Sequence, residues 1–198
     1  MEVKLPSPEQ LARAYEADLK AAFPPEELKP LANIQAMWRD GCYSPLCLFD
    51  GGEIIGECFL WLGEPGWALL DYLCVSQRRR NGGLGAMLLT ELHKAEPDTV
   101  IFGECEAPEH AEDPALAERR LDFYYRNGVR AAGYDTELFG VHYKTLYLAS
   151  RPVPDAELLR QHQYIYKSRF PADKYKQFVR IPWDPSAPPT KKVEWNED

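Results

Sequence analysis

Between Gln77 and Gly85 the chain reads Gln77-Arg78-Arg79-Arg80-Asn81-Gly82-Gly83-Leu84-Gly85, a run of arginines, then glycines, then apolar residues (Met87, Leu88, Leu89, Leu92) at helical spacing. Residue types in this order suit an anion. Glycine has no Cβ, so where a chain leaves a strand and opens a helix at Gly83 and Gly85, several backbone N–H groups can face one ligand. The helix start adds roughly half a positive charge, and Arg78, Arg79 and Arg80 add full ones, a combination matched to a pyrophosphate. The G-x-x-x-x-G-K-[ST] order of a nucleoside-triphosphate loop is absent, and with it the lysine and the magnesium-binding hydroxyl of that chemistry. The full G-x-G-x-x-G spacing of a dinucleotide turn is absent as well.

Further along, Glu104 and Glu106 flank Cys105 at the end of the apolar run Val100-Ile101-Phe102-Gly103. At period two both carboxylates share one face of a strand, and burial there would raise their proton affinity toward that of a general base. Asp71, in the run from Trp67 to Val75, is a lesser candidate of the same kind. Glu106, Glu109, His110, Glu112 and Asp113 together invite a metal, but Pro108 and Pro114 mark a loop and no H-E-x-x-H spacing occurs. That group reads as a solvated acidic loop, and no metal is expected. The five cysteines (Cys42, Cys47, Cys58, Cys74, Cys105) include no C-x-x-C pair and read as reduced core residues.

The elements that must position these groups are legible from spacing. Ser7-Pro8-Glu9-Gln10 has the form of a helix start, with Ser7 as N-cap, and Leu11, Ala14, Tyr15, Leu19, Ala22 and Phe23 recur at helical spacing until Pro24-Pro25. A second helix follows from about Leu31 and ends at Gly41. Period-two and continuous apolar patterns then give strands over Tyr43 to Phe49, Glu53 to Leu62 and Trp67 to Val75, separated by the turns Asp50-Gly51-Gly52 and Gly63-Glu64-Pro65-Gly66. The glycine-rich turn opens a helix, and Thr99 to Glu106 is a strand, so strand, crossover helix and strand imply a parallel pair. Asp113-Pro114 starts a helix that runs to about Asn127, and Tyr134 to Phe139 and Val141 to Ala149 are the last strands of the series. Beyond residue 150, Ala156 to Lys167 and Asp173 to Val179 are helical, and from Pro182 the sequence loses periodicity, as a flexible or surface-hugging tail does.

A chain of 198 residues, 45% of them hydrophobic, suffices for one ordinary domain with an appendage. Its net charge of -8 opposes sequence-independent binding to nucleic acid or to an anionic membrane and fits a cationic substrate. The polar N-terminus and the lack of an apolar run near the roughly 20 residues of a membrane helix place the chain in the cytoplasm.

Within this element order, Arg80-x-x-Gly83-x-Gly85 resembles the Q/R-x-x-G-x-G/A signature of the GNAT (general N-acetyltransferase) superfamily, and Phe123-Tyr124-Tyr125-Arg126-Asn127-Gly128-Val129 resembles its F-Y-x-x-x-G-F segment. The resemblance covers about Leu5 to Ala149. Asn81 stands where a glycine is common, Val129 where an aromatic is usual, and Ala117 where an Asn that contacts the cofactor is often found. The resemblance implies an α/β (α+β) fold over residues 1–150, with a mixed, mostly antiparallel central sheet, a splayed pair of parallel strands and flanking helices. Residues 151–198 then form a C-terminal helical arm and Pro-rich tail.

It also implies acetyl-CoA as co-substrate. Backbone groups near Leu73 and Val75 would take the pantetheine and the acyl carbonyl, and Arg78, Arg79, Arg80, Asn81, Gly82, Gly83, Leu84, Gly85 and Ala86 the pyrophosphate. Glu104, with Glu106 as the alternative, would accept the amine's proton, and Tyr124 would protonate the departing thiolate. The activity implied is direct acetyl transfer in a ternary complex to a primary amine of a small molecule or peptide, with no nucleic acid or membrane partner and with a homodimer compatible. The alternative is an acyl-CoA-binding sensor or docking module without turnover, against which the retained carboxylates and tyrosine argue.

Overall fold

A computed structural model of the protein describes residues 1–25, 27–79 and 82–192. Elements run in the order β1 (Glu2–Lys4), α1 (Pro8–Ala14), a π-helical turn (Tyr15–Leu19), α2 (Lys20–Ala22), α3 (Leu31–Arg39), β2 (Tyr43–Asp50), β3 (Glu53–Leu62), β4 (Trp67–Val75), α4 (Leu84–Ala95) and β5 (Val100–Glu106). They continue with α5 (Pro114–Arg126), β6 (Arg130–Leu138), β7 (Val141–Leu148), α6 (Asp155–Arg169), α7 (Ala172–Phe178) and β8 (Val179–Arg180). The strands form a mixed, mostly antiparallel sheet in which β4 and β5 are the parallel pair. Among the described residues no helix is long and apolar enough to cross a membrane.

The chain divides into two compact units, the first made of Met1–Leu62 and Leu70–Pro97, the second of Gly63–Leu69 and the described chain from Asp98 onward. In the first, Ser7 starts α1 as the sequence predicts. Its Oγ accepts from the Gln10 N–H while Gln10 Oε1 accepts from the Ser7 N–H, so two donors that the helix leaves unpaired are satisfied reciprocally. The strand order is β1-β2-β3-β4. Leu11, Leu19, Ile34, Leu48, Phe59, Leu88 and Leu92 are buried. Helix α4 packs so closely on β3 that a Cβ at Gly56 would lie 3.2 Å from Leu88 Cδ2 and 3.1 Å from the Cys74 carbonyl.

In the second unit the order is β4-β5-β7-β6-β8. Trp67–Leu69 of β4 pairs in parallel with Val100–Phe102, a register that ends at Leu69↔Phe102. On its other side β5 pairs antiparallel with β7 from Ile101↔Leu148 to Glu106↔Tyr143. Helix α6 contributes the fully buried Leu158 and Ile165, and Ile165 reaches 3.1 Å from where a Cβ on Gly63 would be. The segment after Pro182 hugs the surface through Lys192, because the Trp183 N–H bonds the Asp135 carbonyl (2.7 Å), the Thr190 N–H bonds Glu137 Oε1 (2.9 Å) and the Lys191 N–H bonds the Gln177 carbonyl (2.8 Å).

Three departures from the sequence expectation have physical causes. Strands β1 and β8 are three and two residues long, too short to show a period. Strand β6 begins at Arg130 rather than near Tyr134, because its register against β7 shifts between Ala131 and Asp135, and a bulge hides the alternation of its first half.

Candidate active site

The glycine-rich turn lies in the first unit. Helix α4 starts at Leu84 with Gly83 as its N-cap, in the left-handed region at φ 71°, and among the described residues no side chain caps the helix. A Cβ at Gly83 would meet nothing within 4 Å, so the glycine is required by backbone conformation and not by a close neighbour. Gly82 is exposed, and Leu84, Gly85 and Ala86 form the partly exposed first turn. Uncapped N–H groups at a helix start are donors in search of an anion, which fits a phosphate group at this position.

Ahead of the turn, Gln77–Arg79 coil in a single 3₁₀ turn closed by the Arg79 N–H on the Ser76 carbonyl at 2.9 Å. Arg78 is exposed, and the Arg79 guanidinium sits 3.2 Å from Glu53. Arg80 and Asn81 lie outside the described residues. A groove of about 460 Å³ beside the turn is lined by Arg13, Asp18, Glu53, Ser76, Gln77 and Arg78 among others. Leu73 and Val75 are partly buried in β4. Asp71 is already committed, with Lys29 Nζ 2.8 Å from its Oδ1 and the Tyr43 hydroxyl donating to Oδ2 at 2.6 Å.

The two carboxylates of β5, in the second unit, are treated differently by their surroundings. Glu104 keeps 11% of its side chain exposed and meets α6, where His162 Nε2 is 2.7 Å and the Tyr166 hydroxyl 3.0 Å from its Oε1. Glu106 is 32% exposed, and its nearest cation is Arg120 of α5 at 3.9 Å. Cys105 points to the other face, near Tyr124 of α5. Burial first, and the Cys105 thiol second, push the Tyr124 phenol up, so it keeps its proton throughout the neutral range. The expected acidic loop takes part in ion pairing, with Glu109 3.1 Å from Lys144.

Sequence reasoning missed several groups here. His162, fully buried on α6, is the partner of Glu104, and Tyr134 of β6 stands 3.3 Å from its Nδ1. Around the ring of His142, Trp183 stacks at 4.0 Å, His110 lies at 4.7 Å, and Asp135 accepts at 2.9 Å. In the first unit, Glu57 of β3 has no exposed surface, and its Oε2 accepts from Cys74 Sγ at 3.0 Å while Oε1 finds no partner. Burial pushes this carboxyl up to about 8. All five cysteines are unpaired and buried, and among the described residues no three His, Cys, Asp or Glu side chains group as a metal site would require.

Comparison with known proteins agrees with this arrangement. The sequence profile of the Acetyltransferase (GNAT) family matches residues 9–123. YjbC of Bacillus subtilis (strain 168), assigned as an acetyltransferase, is 28% identical over 141 residues, which span 71% of this chain and 66%, just under two thirds, of that protein. A solved structure assigned to an acetyltransferase of the GNAT family from Bacteroides thetaiotaomicron superposes with a TM-score of 0.70 at 21% identity, covering 84% of this chain and 97% of the other. An aminoglycoside 6'-N-acetyltransferase complexed with coenzyme A superposes with a TM-score of 0.56 at 16% identity, over 78% of this chain and 100% of its own. With more than half of its length matched by the family profile, and with the parallel β4–β5 pair in place, the chain belongs to the GNAT family of acetyltransferases.

Proposed function

We propose that the protein transfers an acetyl group from acetyl-CoA to a primary amine of a small molecule or peptide, by direct attack in a ternary complex in the cytoplasm. The observation that carries this reading is the start of α4 behind a left-handed Gly83, without a side-chain cap among the described residues, preceded by arginines in the sequence and set within a GNAT family match. The pyrophosphate of the co-substrate takes the N–H groups of Gly83 to Ala86 and the charge of Arg78 to Arg80, while the Leu73–Val75 backbone takes the pantetheine and the acyl carbonyl. An alkylammonium has no lone pair until it loses a proton, and Glu104 accepts it; Tyr124 protonates the leaving thiolate. A net charge of -8 favours a cationic acceptor, and five unpaired thiols suit a reducing compartment.

The test is a thermal shift with acetyl-CoA against ATP, followed by thiol release from acetyl-CoA with a pool containing a polyamine, an aminoglycoside, a lysine peptide and a free peptide N-terminus. Stabilisation by acetyl-CoA alone, together with amine-dependent thiol release, is expected, and Arg80→Glu should weaken acetyl-CoA binding in calorimetry. Stabilisation without thiol release would turn the reading toward an acyl-CoA sensor, and a shift with ATP alone would overturn it.

A further inference from the structure

The C-terminal arm lies outside the family match, yet one of its side chains is bonded to a proposed catalytic group. His162 has no exposed surface. Its ring is packed against Phe102 at 5.0 Å and is flanked at both nitrogens, with Nε2 2.7 Å from Glu104 Oε1 and Nδ1 3.3 Å from the Tyr134 hydroxyl. A neutral imidazole satisfies both partners in one tautomer, with Nε2–H donating to the carboxylate and Nδ1 accepting from the phenol. Tyr166, one turn further along α6, also donates to Oε1. Both bonds therefore fall on one oxygen. Among the described residues Oε2 has no bond and is not one of the buried unpartnered atoms, so it is the oxygen that meets solvent.

Resting on the reading of Glu104 as the proton acceptor, we propose that His162 is its positioning residue. The imidazole fixes Oε1 and so presents Oε2 to the acceptor's ammonium. The proton passes from the ammonium nitrogen to Oε2 and the freed lone pair forms the C–N bond at the acyl carbonyl; the C–S bond then breaks, the thiolate leaves as the thiol by taking the nitrogen's surplus proton through the Tyr124 hydroxyl, and Glu104 returns its own proton to solvent after the products leave. A carboxylate this far withdrawn from water is free to rotate without fixed donors, and α6 supplies two. Among the described residues the titratable groups bonded to this pair are Tyr134 from β6 and Tyr166 from α6. Asp155 bears on the neighbouring Tyr134, and on the β7 side the residue in register with Glu104 is Thr145, which carries no charge.

Two substitutions in the full chain separate positioning from packing. His162→Phe keeps a ring against Phe102 and removes the donor, and His162→Gln keeps a donor and removes the ring. Thiol release from acetyl-CoA is followed against pH with the preferred amine of the pool. If His162 positions the base, His162→Phe moves the acidic limb of kcat/KM upward by about one pH unit, a roughly tenfold loss on that limb, because a hydrogen bond to a charged group is gone. His162→Gln stays within about threefold of wild type on the same scale. A packing role ranks the two variants in reverse. Independently of turnover, the ring ¹⁵N resonances of the four histidines in the full chain are recorded at one fixed pH, with His162 assigned by its loss in His162→Gln. Glu104→Gln should move the His162 Nε2 resonance, because the acceptor of its N–H is no longer a carboxylate. If Glu104→Gln turns over like wild type, Glu104 is not the base and the inference falls with that reading. If Glu104→Gln loses turnover while His162→Phe keeps the wild-type pH profile, or if the His162 Nε2 resonance is unmoved by Glu104→Gln, only the role of His162 is overturned.

Discussion

Glu57 is a carboxyl held where a charge is costly, and its position makes the stability of the fold depend on pH with a definite sign. The unfolded side chain releases its proton near the ordinary 4.5, whereas the buried native one keeps it up to about 8. Stability from this group is therefore whole below 4.5 and declines as pH rises through that window, by up to about 1.4 kcal/mol per pH unit. Glu57→Gln removes the dependence, so urea unfolding across the window should show the variant gaining on wild type until about pH 8 and then running parallel to it; parallel curves throughout would mean that Glu57 ionises normally. Tyr124 offers a complementary prediction about rate. Its phenol is pushed up out of the accessible range, so Tyr124→Phe should lower kcat equally at every pH, leaving the profile's shape and acetyl-CoA affinity alone. The loss should be about tenfold, less than general acids usually give, because a thiolate with a pKa near 8.5 leaves with little help. Unchanged kcat would reduce Tyr124 to a packing residue. At this scale the phosphate turn is legible because glycines and arginines are consecutive and their chemistry is local. The Glu104–His162 bond is not, because 58 residues separate its ends. The trace it leaves is the buried stripe Leu158, Gln161, His162, Ile165 and Tyr166, in which two polar residues occupy core positions that only a partner elsewhere explains.

Among the elements, β3 and β4 follow from the sequence to the residue, since Gly51-Gly52 and Gly63-Glu64-Pro65-Gly66 punctuate continuous apolar runs. Strand β6 does not, and the cause bears on how α6 is seated. Its bulge contains Gly133, whose N–H donates to Asp155 Oδ1 at 2.9 Å, and a Cβ there would collide with the other carboxylate oxygen. Asp155 opens α6, where a negative charge is favoured by the helix start, so one carboxylate ties strand to helix. Gly133→Ala can be accommodated only by swinging the carboxylate away, which breaks the bond at a cost of about 1 kcal/mol. Asp155→Ala loses the same bond. The double variant should therefore be no less stable than the weaker single one, a coupling of about 1 kcal/mol in a denaturation cycle. Additive losses would show that the glycine is needed for backbone conformation and not for contact with Asp155.

For the molecule as a whole, what matters is whether residues after Ser150 are an accessory or part of a core. The family profile ends at residue 123, and the sequence alone suggests an arm beginning near residue 151. In the structure α6, α7 and β8 belong to the second unit together with β5, β6 and β7. Leu158 and Ile165 are fully buried, and Tyr166 and Val179 keep only 5% and 4% of their surface exposed. Each such side chain contributes roughly 1.5–3 kcal/mol by burial, so removing four of them subtracts an amount comparable with the 5–15 kcal/mol that stabilises a typical domain. Glu64 would also lose Gln161 at 2.6 Å and Arg160 at 2.9 Å, the bonds that fasten α6 to the turn before β4. A chain ending at Ser150 is therefore expected to lose the second unit's packing. Native-state hydrogen exchange should show the β5 and β7 amides, slow in the full chain, exchanging at unprotected rates in the truncated one, and near-ultraviolet dichroism should fall with them. Slow β5 and β7 amides in the truncated chain, with a cooperative melt within a few degrees of the full-length protein, would make the arm peripheral and would require the burial of Leu158 and Ile165 to be offset elsewhere in β5, β6 and β7.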